Sequence, residues 1–420
     1  MASKQDVSTT QQPWDLQASP FRADIRILFQ SALVVFVVTV FIGILNGIVT
    51  GLNILKLSQD VLLTHVHAGT LGWITLSVFA LGLWIFGEGK ASTERNTYVR
   101  TLSILGAVSI PVYVLAFLSG NPIARAIFGF PVLIAFIGLF GWLVARSRQV
   151  RLGVPHLAVL GATFTLIIGG TIGVLLQIQF ATNGNFLPNG AFAAHPATMV
   201  VGYLILIGMA LSEWRLVPNT GRLPRAGLIQ IILPFIAGFI LTFALLANII
   251  PLLGLNALLE IIAVVIYIVR FAPRFARISW LERSSARFFV LSGIFLVVNV
   301  ALLTYFLVIT ITGANGPAGL LIAVDHSMFI GVMSNALFGL IQDASQEQRS
   351  FWPWADDVLF WGMNIGLTGF LVALLSGVKI LESIFPPIMG LSILLGILTY
   401  FLRLTRLSKP GAVEVQVRPS

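Results

Sequence analysis

Cysteine is missing altogether from the 420 residues, which excludes disulfides, thiolate nucleophiles, cysteine-ligated zinc and iron–sulfur clusters. Charge is scarce as well. Asp, Glu, Lys and Arg make up 10% of the chain, against about 25% in soluble domains. Histidine is rarer still, with 5 residues. What the chain has instead is apolar: 57% of it is hydrophobic, with 31 Phe, 9 Trp and 39 Gly. Such a composition has lipid, not water, as its solvent.

A membrane-crossing helix needs about 20 largely apolar residues. Runs of that kind fall at roughly 25–52, 61–87, 99–119, 122–145, 155–180 and 190–213, then at roughly 227–250, 252–272, 286–313, 316–342, 356–378 and 381–402. That reading gives an all-α, polytopic membrane protein of twelve transmembrane helices. Two joints rest on helix breakers rather than on polarity, Ser119-Gly120-Asn121-Pro122 and Ile249-Ile250-Pro251, where Pro and Gly interrupt what hydropathy alone would join. The expected organisation is a disordered polar tail at 1–24, one transmembrane domain at 25–403 and a second tail at 404–420. The polar N-terminal stretch lacks a signal-peptide layout.

Basic residues set orientation, because loops left on the cytoplasmic side are enriched in Lys and Arg. With twelve crossings and both termini cytoplasmic, all of the 25 Lys and Arg except Lys56, Arg125 and Lys379 fall on the inner side. Losing one span would scramble that split. The expected location is therefore a cell membrane, inner or plasma, crossed many times. The net charge of +9 is explained by the same loops, which contact anionic lipid. Nucleic acid is not an expected partner; the bilayer is.

Ionisable groups at membrane depth are costly and mark function. Here they are His65, His67, His195, Glu260, Asp325 and His326, against a background of amides such as Asn46, Gln177 and Asn335. His156 stands at the cytoplasmic mouth of the fifth span and is set aside. Spans two, six and ten cross in one direction, and each carries its histidines early. Imidazole is the usual protein ligand of haem iron, and two on facing helices make a six-coordinate, low-spin b-type site. At about 1.5 Å per residue, His67 lies about 9 Å and His326 about 15 Å below the start of its span. His65 and His67, two residues apart, are separated by roughly 200° around a helix and cannot both face one iron. For a single intramembrane histidine, an interhelical hydrogen bond or a proton relay is the ordinary explanation. Histidines on three helices at one depth favour ligation.

Three stretches resemble the twelve-helix catalytic subunit I of the haem-copper oxidase superfamily, which includes cytochrome c oxidase and nitric oxide reductase. Leu63-Thr64-His65-Val66-His67-Ala68-Gly69 with Leu71-Gly72-Trp73 is similar to that family's second helix, which holds a low-spin haem. Ala194-His195-Pro196 is similar to the start of the sixth helix, whose His binds copper. Asp325-His326-Ser327-Met328-Phe329, running on to Gly339, is similar to the tenth.

On this resemblance the cofactor is a low-spin, bis-histidine haem b held by His67 and His326, while His65 is an extra. His195, and with it His65, is the candidate for a second metal. The resemblance breaks at the binuclear centre. Val324 occupies the place of the His that would hold a high-spin haem, and the seventh span has no His for copper. His195 alone falls short of the three or so ligands an imidazole copper site needs. A second haem or a copper thus has no evident ligand set.

The function implied is electron transfer, or reduction or sensing of O2 or NO, at a degenerate centre. An electron-donor or accessory subunit is the partner that goes with it, and Glu260 and Asp325 are proton-path candidates. Whether the chain is an oxidoreductase is left open by the incomplete centre. The competing reading is a twelve-span transporter, in one form a carrier of metal or haem, since two halves of six spans suit secondary carriers. Against it, no repeat relates the two halves.

Overall fold

A computed structural model describes residues 16, 19–87, 96–217, 223–346, 348 and 351–406. Most of the two expected tails lies outside them. Within them there is no strand, and twelve helices are long and apolar enough to cross a membrane. These are α1 (Arg22–Gly51), α2 (Gln59–Ile85), α3 (Thr97–Leu118), α4 (Pro122–Ser147), α5 (Val154–Thr182), α6 (Ala191–Leu216), α7 (Arg225–Ala247), α8 (Pro251–Phe275), α9 (Ser285–Thr312), α10 (Leu320–Ala344), α11 (Ala355–Ser376) and α12 (Lys379–Arg406). The protein is a multi-pass membrane protein.

Both weak joints are real breaks. Gly120 takes φ +67 and Asn121 caps α4, accepting from the N–H groups of Ile123 and Ala124, with Pro122 at the first turn, where its missing N–H costs nothing. At the other joint Asn248 takes φ +56, in the left-handed region that Asn tolerates, ahead of Pro251. The structure begins α1 at Arg22, slightly inside the expected tail.

Three helices form the centre. In their most apolar stretches α2, α6 and α10 have 89%, 78% and 72% of residues buried, against 33–56% in the others. The outer helices turn Val, Ile, Leu and Phe to the surface, as at Phe41, Ile127 and Val269, which lipid accommodates and water would not. The inner three also carry His65, His67, His195 and His326, and each contains a π-helical stretch: Ala68–Thr75, Thr198–Ile205 and Ser327–Ser334. Such widened turns recur at functional sites. Here Thr75 and Ser334 donate their hydroxyls to the carbonyls five residues back, of Thr70 and Phe329, at 2.9 and 2.8 Å.

Aligned on these stretches, the inner helices are three copies of one pattern. Gly72, Gly202 and Gly331 are each the fifth residue of the π segment. Trp84 and Trp214 share a later position and meet edge to face at 5.3 Å. The polar contacts between copies repeat as well. Trp73 Nε1 on α2 donates to Ser334 Oγ on α10 at 2.9 Å, and Tyr203 OH on α6 donates to Thr75 Oγ1 on α2 at 3.2 Å. Each joins the sixth residue of one π segment to the eighth of a neighbour. The remaining pair, Val332 and Ile205, is apolar. Outside, the first helix of each group of four packs on the last of another: α1 on α12, α5 on α4, α9 on α8. The bundle is a threefold arrangement of four-helix units.

The end where the even-numbered helices finish is closed by buried ion pairs. Arg270 meets Glu213 at 2.6 Å, Arg215 meets Asp343 at 2.7 Å, Arg403 meets Asp356 at 2.7 Å and the fully buried Arg287 meets Asp357 at 2.8 Å. Breaking such a pair by removing one partner costs about 3–5 kcal/mol.

Candidate functional site

Two cavities lie in the half of the bundle where the even-numbered helices begin. One, of about 530 Å³, is enclosed by α10, α11, α12, α1 and α2; the other, of about 440 Å³, by α2, α3, α4, α5 and α6. Each is thus bounded mainly by two inner helices and three outer ones in the same order, with α10 adding Asp325 and Phe329 to the second. Each holds two histidines.

In the α10–α2 cavity the rings of His65 and His326 face each other, 6.4 Å between centres and 24° between planes. In the α2–α6 cavity stand His67 and His195. The His67 ring lies on Phe117, 3.7 Å between centres. The expected partnership of His67 with His326 is not made. His65, read from the sequence as an extra, is the residue opposite His326, because His65 and His67 leave α2 on opposite sides. The separation of roughly 200° between them is realised as two different cavities.

All four imidazoles are pinned in one way. His65 Nδ1 donates to the carbonyl of Thr39 at 2.9 Å and His195 Nδ1 to that of Gly169 at 2.8 Å, both on the neighbouring first helix of a unit. His67 Nδ1 donates to the carbonyl of Leu63 at 2.8 Å and His326 Nδ1 to that of Ile322 at 2.9 Å, each one turn back in its own helix. A carbonyl only accepts, so Nδ1 carries the proton and Nε2 presents its lone pair. Among the described residues no Nε2 of the four has a hydrogen-bond partner. Metal-bound histidines are held in this manner, with one ring nitrogen tied to a carbonyl and the other free to ligate. His156 is the reverse: its Nδ1 accepts from the N–H of Gly153 at 3.1 Å, which caps α5.

Space for the rings is made by glycine. A Cβ on Gly43 of α1 would stand 3.0 Å from His65 Cε1, and one on Gly173 of α5 would stand 2.7 Å from His195 Cε1. Each cavity also has one cation with a carboxylate beside it, Lys379 with Glu382 at 2.7 Å and Arg125 with Asp60 at 2.5 Å. These cations are two of the three basic residues that depart from the charge bias of the sequence.

The other expected residues are placed as follows. Asp325 lines both cavities, together with Val66 and Phe329, and so lies in the wall between them. Glu260, on α8, lines neither; its carboxyl is buried beside the amide of Asn256, one turn earlier. Asn46 belongs to the α10–α2 cavity and Gln177 to the other.

Two imidazoles fall short of the three or four protein ligands usual for a zinc ion. Among the described residues no group of three or more His, Cys, Asp or Glu could hold one. An imidazole nitrogen sits about 2 Å from a metal and roughly 1 Å from its own ring centre, so two imidazoles on opposite sides of one ion have centres about 6 Å apart. His65 and His326 meet that spacing. A metal arriving with four equatorial nitrogens of its own, as in haem, needs just two such ligands.

Sequence reasoning missed the threefold repeat, the roles of Arg125 and Lys379, and Gly43 and Gly173. The repeat had a signal: His65, Gly72 and Trp84 have the same spacing as His195, Gly202 and Trp214. Set against known proteins, the chain matches no family model and no curated sequence.

Proposed function

We propose that this chain is a membrane-embedded b-type haem protein, built like subunit I of the haem-copper oxidase superfamily, with His65 and His326 as the axial ligands of a low-spin haem. One observation carries the reading: two imidazoles on facing helices, 6.4 Å apart, each with Nδ1 tied to a carbonyl and Nε2 directed to no protein partner. Haem bound there supplies a one-electron redox centre inside the bilayer. His65 and His326 hold the iron, and Gly43 keeps room for the first of them. Lys379, in the lining of the same cavity, would offer a positive charge to the cofactor's carboxylates. Phe370, edge-on to His326 with 5.0 Å between centres, fixes that ring from α11.

With both termini cytoplasmic, as the charge bias indicates, the cavities belong to the outer half of the membrane, so an electron donor or accessory subunit docks from that side. Electron transfer is the function these residues support best. Reduction or sensing of O2 or NO would require an open axial position. The transporter alternative is disfavoured because the repeat unit is four helices, whereas the carriers it resembles repeat over half their spans.

The test is the optical spectrum of the purified, dithionite-reduced protein. A low-spin b-type spectrum is expected, lost at this site in His65→Ala and His326→Ala. Absence of any haem overturns the reading. Carbon monoxide should leave the wild-type spectrum unchanged; a shift would mark an open axial position and make gas binding the function.

A further inference from the structure

The α2–α6 cavity is not needed for the haem between His65 and His326, yet it repeats three features of that site: two histidines, a glycine beside one ring, and a cation with a carboxylate. The residue just before the π segment is His67 in α2 and His326 in α10; the residue three before it is His65 in α2 and His195 in α6. In the α10–α2 cavity the nearer position of one inner helix thus meets the farther position of the next, His326 with His65. In the α2–α6 cavity the same two positions line one space, as His67 and His195.

The supporting contacts keep step. His65 and His195 both donate to a carbonyl of an outer helix, at Thr39 and Gly169, and each has a glycine four residues beyond that carbonyl, Gly43 and Gly173. His67 and His326 both donate one turn back. The cation of this cavity, Arg125, is 7% exposed and spends its Nη2 on Asp60 and the carbonyl of Phe117, leaving its buried Nε without a partner. An unpartnered guanidinium nitrogen in a cavity of this kind is a site for an anionic group, such as a haem carboxylate.

We propose that His67 and His195 are the axial ligands of a second haem, so that α2 supplies one ligand to each of two haems on its opposite sides. The proposal rests on the haem reading of the α10–α2 cavity, whose geometry it extends by the repeat. His65 and His67 are about 3 Å apart along the helix axis, which sets the two sites at nearly the same depth. Val66, Asp325 and Phe329, shared by both cavities, are the partition between them. The third interface, between α6 and α10, has Ala197 and Val324 at the two ligand positions and offers no imidazole there. The chain is thereby a two-centre carrier with one electron stored on each side of α2.

The test is haem stoichiometry, by pyridine haemochrome on the purified full-length protein and by titration of the haem-free protein with haemin, together with low-temperature electron paramagnetic resonance. Two haems per chain and two low-spin ferric signals are expected in the wild type. His195→Ala and His67→Ala should each abolish one signal, by loss of one haem or by its conversion to a form that binds carbon monoxide. The His65–His326 signal should persist in both and report that the variants are folded. His65→Ala should remove the complementary signal.

A wild type with a single haem that is lost in His326→Ala and untouched in His195→Ala overturns the second site and leaves the first reading standing. Two haems with both signals intact in His67→Ala and His195→Ala also overturn it. A wild type that neither contains nor takes up haem overturns both readings.

Discussion

The interface between α2 and α10 and the interface between α6 and α10 are built on one frame and differ in the polar groups they carry. In the first, His65 and His326 stand just ahead of the π segments; in the second, Ala197 and Val324 do. The π segments, the fifth-position glycines and the packing of a first helix on a preceding last helix are common to both. The frame is therefore the constant of this fold, and the copies differ in which of them carry imidazole. The α2–α6 interface, with His67 and His195, goes with the first. A polar contact between π segments is also present at two interfaces and replaced by Val332 and Ile205 at the third.

Removing a ligand should have the largest effect. In His326→Ala the low-spin spectrum of the α10–α2 site is expected to vanish while any signal of the α2–α6 site stays, and His195→Ala should give the mirror result, both read by difference spectra. If each variant removed the same signal, the two cavities would not be separate sites.

The next largest effect comes from writing the ligand into the copy that lacks it. Val324 is 2% exposed, so Val324→His buries a polar ring in a filled position, at an expected cost of about 1–3 kcal/mol from overpacking and desolvation. The matching change in the opposite direction, His65→Val, borders a cavity and should cost less. Thermal unfolding in detergent, followed by helical circular dichroism, orders the two.

Filling the space beside the rings sharpens the comparison further. A Cβ at Gly173 would come within 2.7 Å of the His195 ring and one at Gly43 within 3.0 Å of the His65 ring. Gly173→Ala should therefore weaken haemin binding at its site by about tenfold, or ~1.4 kcal/mol, and Gly43→Ala by less, each measured by competition with an apo-haem acceptor. Equal effects would contradict the ranking. The smallest effects belong to the contacts between copies. Trp73→Phe and Tyr203→Phe each remove one interhelical hydrogen bond, worth about 0.6 kcal/mol in a membrane, with Trp73 the more costly because its bond is 2.9 Å against 3.2 Å. Their stabilities should differ from wild type by no more than a few degrees in Tm.

Residue by residue, the legible part of the site was the list of histidines, and the illegible part was their partners. His65, His67, His195 and His326 stand out as rare imidazoles in apolar helices, and the helical period alone says that His65 and His67 diverge. It does not say which of them turns toward α10. Arg125 and Lys379 were visible only as departures from a charge rule, since a cation at a cavity mouth and one in a loop look the same in a sequence. Glu260 shows the converse: as prominent as the histidines in the sequence, it lies beside Asn256 away from both cavities.

The sequence by itself determined that the chain lives in lipid, has twelve runs able to cross it and places its membrane-depth histidines on spans two, six and ten. Length of apolar runs, breakers and rare polar groups are local properties, and a bilayer reads them one helix at a time. Only the tertiary structure decided that those three spans are the centre, that they are copies related by a threefold repeat, and that His326 faces His65 while His67 shares a cavity with His195. Those outcomes depend on the rotation of each helix about its axis, which is fixed by packing against several neighbours at once and by widened turns whose backbone the residue pattern alone does not reveal.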